Sequence, residues 1–185
     1  MSSVTSPEPD RTRPILHLAL RRCGDGRASP TRTARHLPGS RAATYDPRWP
    51  AVTAALAELR EQGRFAIRIV DADCGTGCLL INAVHHARAL GFTAIEGHGI
   101  DGSPALIGRA RAAAYRVRDL GVGVTFEMAD MAGALEAERD LLPDIVLWHD
   151  PRPDDDGPEA LRALRAGGAV VICDRTPQDR DGRSA

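Results

Sequence analysis

The chain contains no lysine. All 24 of its basic residues are arginine, which excludes Schiff-base chemistry and a lysine general base. The phosphate-binding pattern G-x-x-x-x-G-K-[ST] falls with them, because its lysine is absent. Aromatic residues are scarce, at 4% of the chain. Long hydrophobic runs are missing too. The start is acidic and contains proline, and its apolar run, "ILHLAL" at 15–20, is too short for a signal peptide or a membrane span. The four cysteines, Cys23, Cys74, Cys78 and Cys173, lack the paired C-x-x-C spacing of a zinc site, so no metal is expected. Nothing marks the chain as secreted, and a reduced, cytoplasmic setting is the expectation. A net charge of −1 gives no general attraction to nucleic acid or to a membrane surface.

What is present suits a globular protein. The 185 residues, 43% of them hydrophobic and 26% charged, fit one domain with a sizeable core and some extra length. The chain divides unevenly. Residues 1–44 are rich in Ser, Thr, Pro and Arg. Through residue 48 there are nine arginines and four acids, a net +5, whereas the remainder carries −6. Composition reads this segment as a partly disordered arm; a lid that orders on binding is the functional alternative. Residues 45–174 form the expected domain, and residues 175–185 a polar C-terminal tail.

Within the domain, apolar β-branched runs alternate with helical stretches. Asp46-Pro47 opens a helix that reaches Gln62 and stops at Gly63. "AIRIV" is then a buried strand, and Thr76 to Leu90 a helix ending before Gly91. "AIEGHGI" is a strand, and Ser103-Pro104 starts a helix running to Leu120. "VTFEM", "DIVLW" and "AVVIC" are three more strands, separated by the helices "MAGALEAERDLL" and "GPEALRALR". This order predicts an α/β fold: a Rossmann-like, doubly wound, mostly parallel five-stranded sheet with helices on both faces.

Ligands of such sheets bind beyond the carboxyl ends of the strands, where strand order reverses. The first strand runs into Asp71-Ala72-Asp73-Cys74-Gly75-Thr76-Gly77. Its glycines permit close approach to backbone, and the next helix points its N–H groups there. Asp101 follows the second strand, 24 positions after Gly77, near the spacing of a ribose-binding acid. Asp130 and Met131 follow the third strand. They are a polar acceptor and a polarizable side chain that suit an adenine ring, although Met is more often core. His149 and Asp150 follow the fourth. A nicotinamide-binding turn wants G-x-G-x-x-G/A, but the position three beyond Gly77 is Leu80.

"IVDADCGTG" resembles the signature turn of class I S-adenosylmethionine-dependent methyltransferases, commonly hhD-x-G-C-G-x-G. "GIDGSPALIGRARAAA", "FEMAD", "PDIVLWHD" and "LRALRAGGAVVICD" resemble four further blocks of that family, in the family's order. Together they cover about residues 46–174. The resemblance implies S-adenosyl-L-methionine as cofactor and methyl transfer as the activity, to a small-molecule acceptor that the sequence does not identify. It places Asp71, Asp73, Cys74, Gly75, Thr76 and Gly77 around the methionine and ribose parts of the cofactor. It gives the ribose hydroxyls to Asp101, with Gly102 and Ser103 beside the adenosine and Asp130 and Met131 flanking the adenine. It sets His149 near the sulfonium. A non-catalytic binding or interaction module on a degenerate methyltransferase fold is the alternative.

Two departures stand out. The first glycine of the signature is Asp73, whose Cβ and charge are expected to weaken cofactor binding. The family also usually continues into two more strands that this sequence lacks. The fifth strand is then an open edge, which the arm could cover or where two chains could meet as a homodimer. For catalysis, His149 is the candidate base, having an ordinary pKa near neutrality, and Asp150 stands beside it. Asp150-Pro151-Arg152-Pro153 is only faintly similar to the (D/N)-P-P-aromatic motif of nitrogen methyltransferases.

Overall fold

A computed structural model describes residues 45–149 and 159–174. The expected arm, the expected tail and the stretch from Asp150 to Pro153 lie outside the described residues. Five strands form one sheet: β1 (Ala66–Ala72), β2 (Ala94–Asp101), β3 (Val122–Met128), β4 (Ile145–Trp148) and β5 (Val170–Cys173). Their order is β3-β2-β1-β4-β5, and every neighbouring pair is parallel. Five helices accompany them: α1 (Trp49–Glu61), α2 (Cys78–Ala89), α3 (Pro104–Ala114), α4 (Met131–Glu138) and α5 (Glu159–Ala166). The expected α/β, Rossmann-like architecture is the observed one.

The centre of the sheet explains the unbroken apolar runs. All four residues of β4 are buried, as are Ile69 to Ala72 of β1. Strands covered on both faces need apolar side chains on both, so period-two alternation disappears. On one face α1, α2 and α3 supply Leu56, Leu80 and Ile107 against Ile69 and Ile145. On the other, α4 and α5 supply Leu135, Leu161 and Leu164 against Val70, Ile100 and Val146. Each fully buried Leu or Ile contributes about 1.5–3 kcal/mol by leaving water.

The second face is polar towards the amino ends of the strands. There the Glu138 carboxylate, 3% exposed, accepts from Arg68 Nη2 at 2.8 Å and lies 2.7 Å from His98 Nδ1. Burial would raise the Glu138 pKa, but bonds from His98 and Arg68 outweigh it and hold the carboxyl below its ordinary range. The same bond, against burial, raises the His98 pKa.

Helix α2 starts at Cys78 rather than Thr76 and helix α4 ends at Glu138 rather than Leu142; the larger differences from the sequence pattern are at α3 and α1. Helix α3 ends at Ala114, six residues before the expected Leu120. Beyond it the Asp119 carboxylate accepts from the N–H of Gly121 at 2.9 Å and from Arg88 Nε at 2.8 Å. Asp119 thereby stabilises a turn where helical periodicity ran on, a local competition typical of Asp. Helix α1 begins at Trp49 rather than Asp46. The Asp46 carboxylate is occupied by Arg48, accepting from its backbone N–H, its Nε and its Nη2 at 2.9, 3.0 and 2.9 Å.

Candidate functional site

The register of the sheet brings the expected residues into one line. Ala72 of β1 lies opposite Ile100 of β2 and Trp148 of β4, and Trp148 lies opposite Cys173 of β5. One step further along the chain at each strand end come Asp101, Asp73, His149 and Asp174. Neighbouring strands are about 4.8 Å apart. The carboxyl edge therefore carries an acid, an acid, a histidine and an acid in successive register positions. The order reverses between β1 and β4, which places the crevice of the sheet between Asp73 and His149.

The turn from Asp73 to Gly77 is built on positive φ at alternate residues: +66° at Asp73, +58° at Gly75 and +75° at Gly77. Gly77 could carry no side chain, since a Cβ there would stand 2.4 Å from the Phe126 ring. Above Gly75 a Cβ would meet nothing within 4 Å. Among the described residues the backbone there is thus uncovered. Asp73, the non-glycine of the three, has the left-handed conformation that Asp and Asn tolerate better than other residues with side chains.

Asp101 braces this turn. It is 4% exposed, and its carboxylate accepts from the N–H of Gly75 at 2.9 Å and of Ser103 at 2.7 Å. The Cys74 N–H donates to the Ile100 carbonyl at 2.9 Å. A carboxylate offers about four lone-pair sites, so two ligand hydroxyls can still be accommodated. Gly102 is exposed and a Cβ on it would meet open space, while Ser103 begins α3 without a side-chain cap bond. Cys74 is buried, and burial pushes its thiol pKa up, which makes it inert. The Thr76 hydroxyl lies 3.3 Å from Cys78 Sγ.

Asp71 is wholly buried, and neither of its carboxylate oxygens has a hydrogen-bond partner among the described residues. Arg48 Nη1, equally without one, stands 3.7 Å away. Burial pushes the Asp71 pKa up to about 7 against the pull of Arg48; Asp46, Asp73 and Asp101 push the same way as burial. Burial acts to lower the Arg48 pKa, but Asp71 and Asp46 outweigh it and keep the guanidinium charged.

His149, half-buried at the end of β4, forms an ion pair through Nδ1 with Asp174. That bond raises the His149 pKa despite burial, and Asp73 adds to the effect. Asp130 and Met131 lie at the start of α4. Asp130 is exposed and caps the helix by accepting from the Gly133 N–H at 3.0 Å; Met131 packs against the apolar cluster of the second face. Asp150 lies outside the described residues.

Three participants escaped the sequence reading. Asp174 follows the fifth strand, and the rule that singles out residues after each strand points to it as well. Asp46 and Arg48 carry no such signal, because a buried ion pair at a helix start has no sequence period. Among the described residues no helix is long and apolar enough to cross a membrane, and no group of three His, Cys, Asp or Glu side chains gathers as a metal site.

No protein-family model matches the chain, and no curated protein matches it in sequence. Solved structures match in fold. The magnesium protoporphyrin IX methyltransferase (ChlM) of Synechocystis PCC 6803, with bound SAH, is 21% identical with a TM-score of 0.48; the match covers 81% of this chain and 61% of that one. A SAM-dependent methyltransferase of Agrobacterium tumefaciens is 16% identical with a TM-score of 0.49, over 69% of this chain and 44% of that one. WbdD, in complex with a kinase inhibitor, is 18% identical with a TM-score of 0.50, over 73% and 32%. This chain spans less than two thirds of each. At such identities the likeness is one of fold alone.

Proposed function

We propose that this chain binds S-adenosyl-L-methionine across the carboxyl edge of β1, β2 and β4 and transfers its methyl group to a small-molecule acceptor. The observation that carries the reading is the conjunction at one sheet edge of the open backbone at Gly75, the braced acid Asp101 and the His149–Asp174 pair. The residues present fit the cofactor. Gly75, Thr76 and Gly77 would line its methionine and ribose parts, with Asp71, Asp73 and Cys74 behind them. Asp101 would accept from the ribose hydroxyls, beside Gly102 and Ser103. Asp130 and Met131 would flank the adenine, Asp130 with the lone pairs left over from its cap.

When bound, the cofactor supplies an electrophilic methyl on a sulfonium, whose departing bond leaves its electron pair on sulfur. The chain's own task is mainly to position the acceptor in line, which supplies up to about 7–11 kcal/mol of barrier reduction in favourable cases. With Asp174 paired at Nδ1, Nε2 of His149 is the ring nitrogen that would take a proton from a hydroxyl or ammonium acceptor. Because Asp174 raises the His149 pKa, the basic form grows as pH rises, and transfer that depends on it should rise from pH 6 to 8. The expected homodimer through β5, which pairs with β4 alone among the described residues, remains part of this proposal.

Calorimetric titration of the full chain with S-adenosylmethionine and S-adenosylhomocysteine tests the reading. Binding at micromolar concentrations is expected. If neither ligand binds, the cofactor assignment fails. Binding without methyl transfer to any acceptor in a metabolite extract would instead support a non-catalytic module.

A further inference from the structure

Alternate residues of a strand share a face, and the register sets Arg68 of β1, Glu96 and His98 of β2 and Glu127 of β3 on the same side of the sheet as α4. Helix α4 buries two residues, Leu135 and Glu138. Leu135 joins the apolar cluster of this face. Glu138, in the last turn, accepts from Arg68 Nε and Nη2 and lies 2.7 Å from His98 Nδ1. The other ring nitrogen of His98, Nε2, is 3.4 Å from the Glu127 carboxylate. One imidazole therefore stands between a carboxylate of α4 and a carboxylate of β3. Only the protonated ring donates from both nitrogens. The neutral ring has one N–H. The nearer and buried Glu138 retains it, because an interior acceptor is the more costly to leave unmet. The lone pair at Nε2 then faces Glu127, and the link to β3 is lost.

The consequence falls on the carboxyl end of β3. The residue before Glu127 is Phe126, whose ring lies where side chains at Gly77 and Gly99 would stand. Three residues after Glu127 comes Asp130, and it lines one groove together with His98, Glu127 and Glu138. Resting on the cofactor reading above, in which Asp130 flanks the adenine, we propose that His98 is a positioning residue: its imidazolium clasps β3 to α4 and holds the adenine side of the site in place. The charged groups that face it among the described residues are Glu138 on α4, Glu127 on β3 and Arg68 on β1, with Glu96 of β2 paired to Arg68. The bond with Glu138, against burial, raises the His98 pKa; Glu127 adds to the effect and Arg68 opposes it. The clasp is thus complete below the ordinary imidazole pKa of about 6.5. It is lost as pH rises through the raised value.

The test follows S-adenosylhomocysteine, which undergoes no transfer, binding to the full chain from about pH 6 to 9 by calorimetric titration. Hydrogen exchange of the unliganded chain accompanies it. Asp71 and His149 titrate as well, so the measure is the difference from His98→Gln, which keeps a side-chain donor and does not titrate. Affinity should fall with rising pH about two- to fivefold further in the natural protein than in the variant, the effect of one half-exposed ion pair. Protection of the β3 amides should fall over the same range in the natural protein only. Glu127→Gln, at an exposed position, is the second variant. It should reduce the pH dependence in the same way and lower the His98 pKa in proton NMR of the ring. One pH profile of binding shared by the natural protein and both variants overturns the proposal. So does β3 protection that is indifferent to the His98 proton. Failure of the natural protein to bind the ligand at any pH refutes the cofactor reading instead, and the exchange measurement then decides the clasp.

Discussion

Asp71→Asn should make this protein's stability less sensitive to pH, and the sign follows from burial. An aspartate in an unfolded chain loses its proton near pH 3.9. In the folded protein Asp71 keeps it until about pH 7. Between those values the folded state holds a proton that the unfolded state has lost, so stability falls as pH rises through the window. Each pH unit amounts to about 1.4 kcal/mol, and the whole window to a loss on the order of 4 kcal/mol. Asparagine has no proton to lose, so the variant escapes the loss. Below about pH 7 the folded Asp71 is itself uncharged, so the variant removes no charge beside Arg48 there, and arginine stays charged throughout. Urea unfolding followed by circular dichroism at pH 4.5, 5.5, 6.5 and 7.5 measures the difference. With a urea dependence of about 1–3 kcal/mol/M, the variant's midpoint should gain more than about 1 M on the natural protein across the series. A difference that stays constant from pH 4.5 to 7.5 would refute the assignment of a protonated, buried Asp71.

Four further outcomes are expected. Gly77→Ala should cost more than about 2 kcal/mol, from positive φ and from overlap with Phe126, and Phe126→Leu should recover part of the loss in thermal melts. Asp174→Asn should lower the His149 pKa, read by proton NMR of the imidazole, because the paired carboxylate is what raises it. Glu138→Ala should destabilise the fold by about 1–3 kcal/mol in urea unfolding, since Arg68 keeps Glu96 and His98 keeps Glu127 but both lose the buried acceptor they share. Asp73→Gly should leave stability unchanged or raise it by up to about 1 kcal/mol, as relief of the left-handed conformation offsets the entropy a glycine adds to the unfolded chain.

The last outcome shows where sequence reasoning stops. Without φ, a glycine at position 73 counts only as added freedom in the unfolded chain. With φ at +66°, it also removes strain. The strands were legible because "AIRIV", "DIVLW" and "AVVIC" are apolar on both faces and bounded by turn residues. Their order of alternation with helices indicated parallel pairing, which the register confirms. The glycine turn and Asp101 were legible as strand-end residues. The end of α3 was not, because a side chain of Asp119 competes with the helix from outside the periodic pattern. Nor was the Arg48–Asp71 contact, which joins the start of one helix to the inside of a strand 23 residues later.

The Phe126 ring joins parts of the chain that are distant in sequence. It comes from β3, at one margin of the described sheet, and crosses β2 to occupy the space that side chains at Gly77 and Gly99 would fill. An edge strand is the first part of a sheet to fray. When β3 opens, Phe126 withdraws, and the glycine turn loses the surface that shapes it. The site is therefore only as durable as its least protected strand, and hydrogen exchange at the amides of Gly75 and Gly77 should follow that of β3 rather than the slower exchange of β1 and β4.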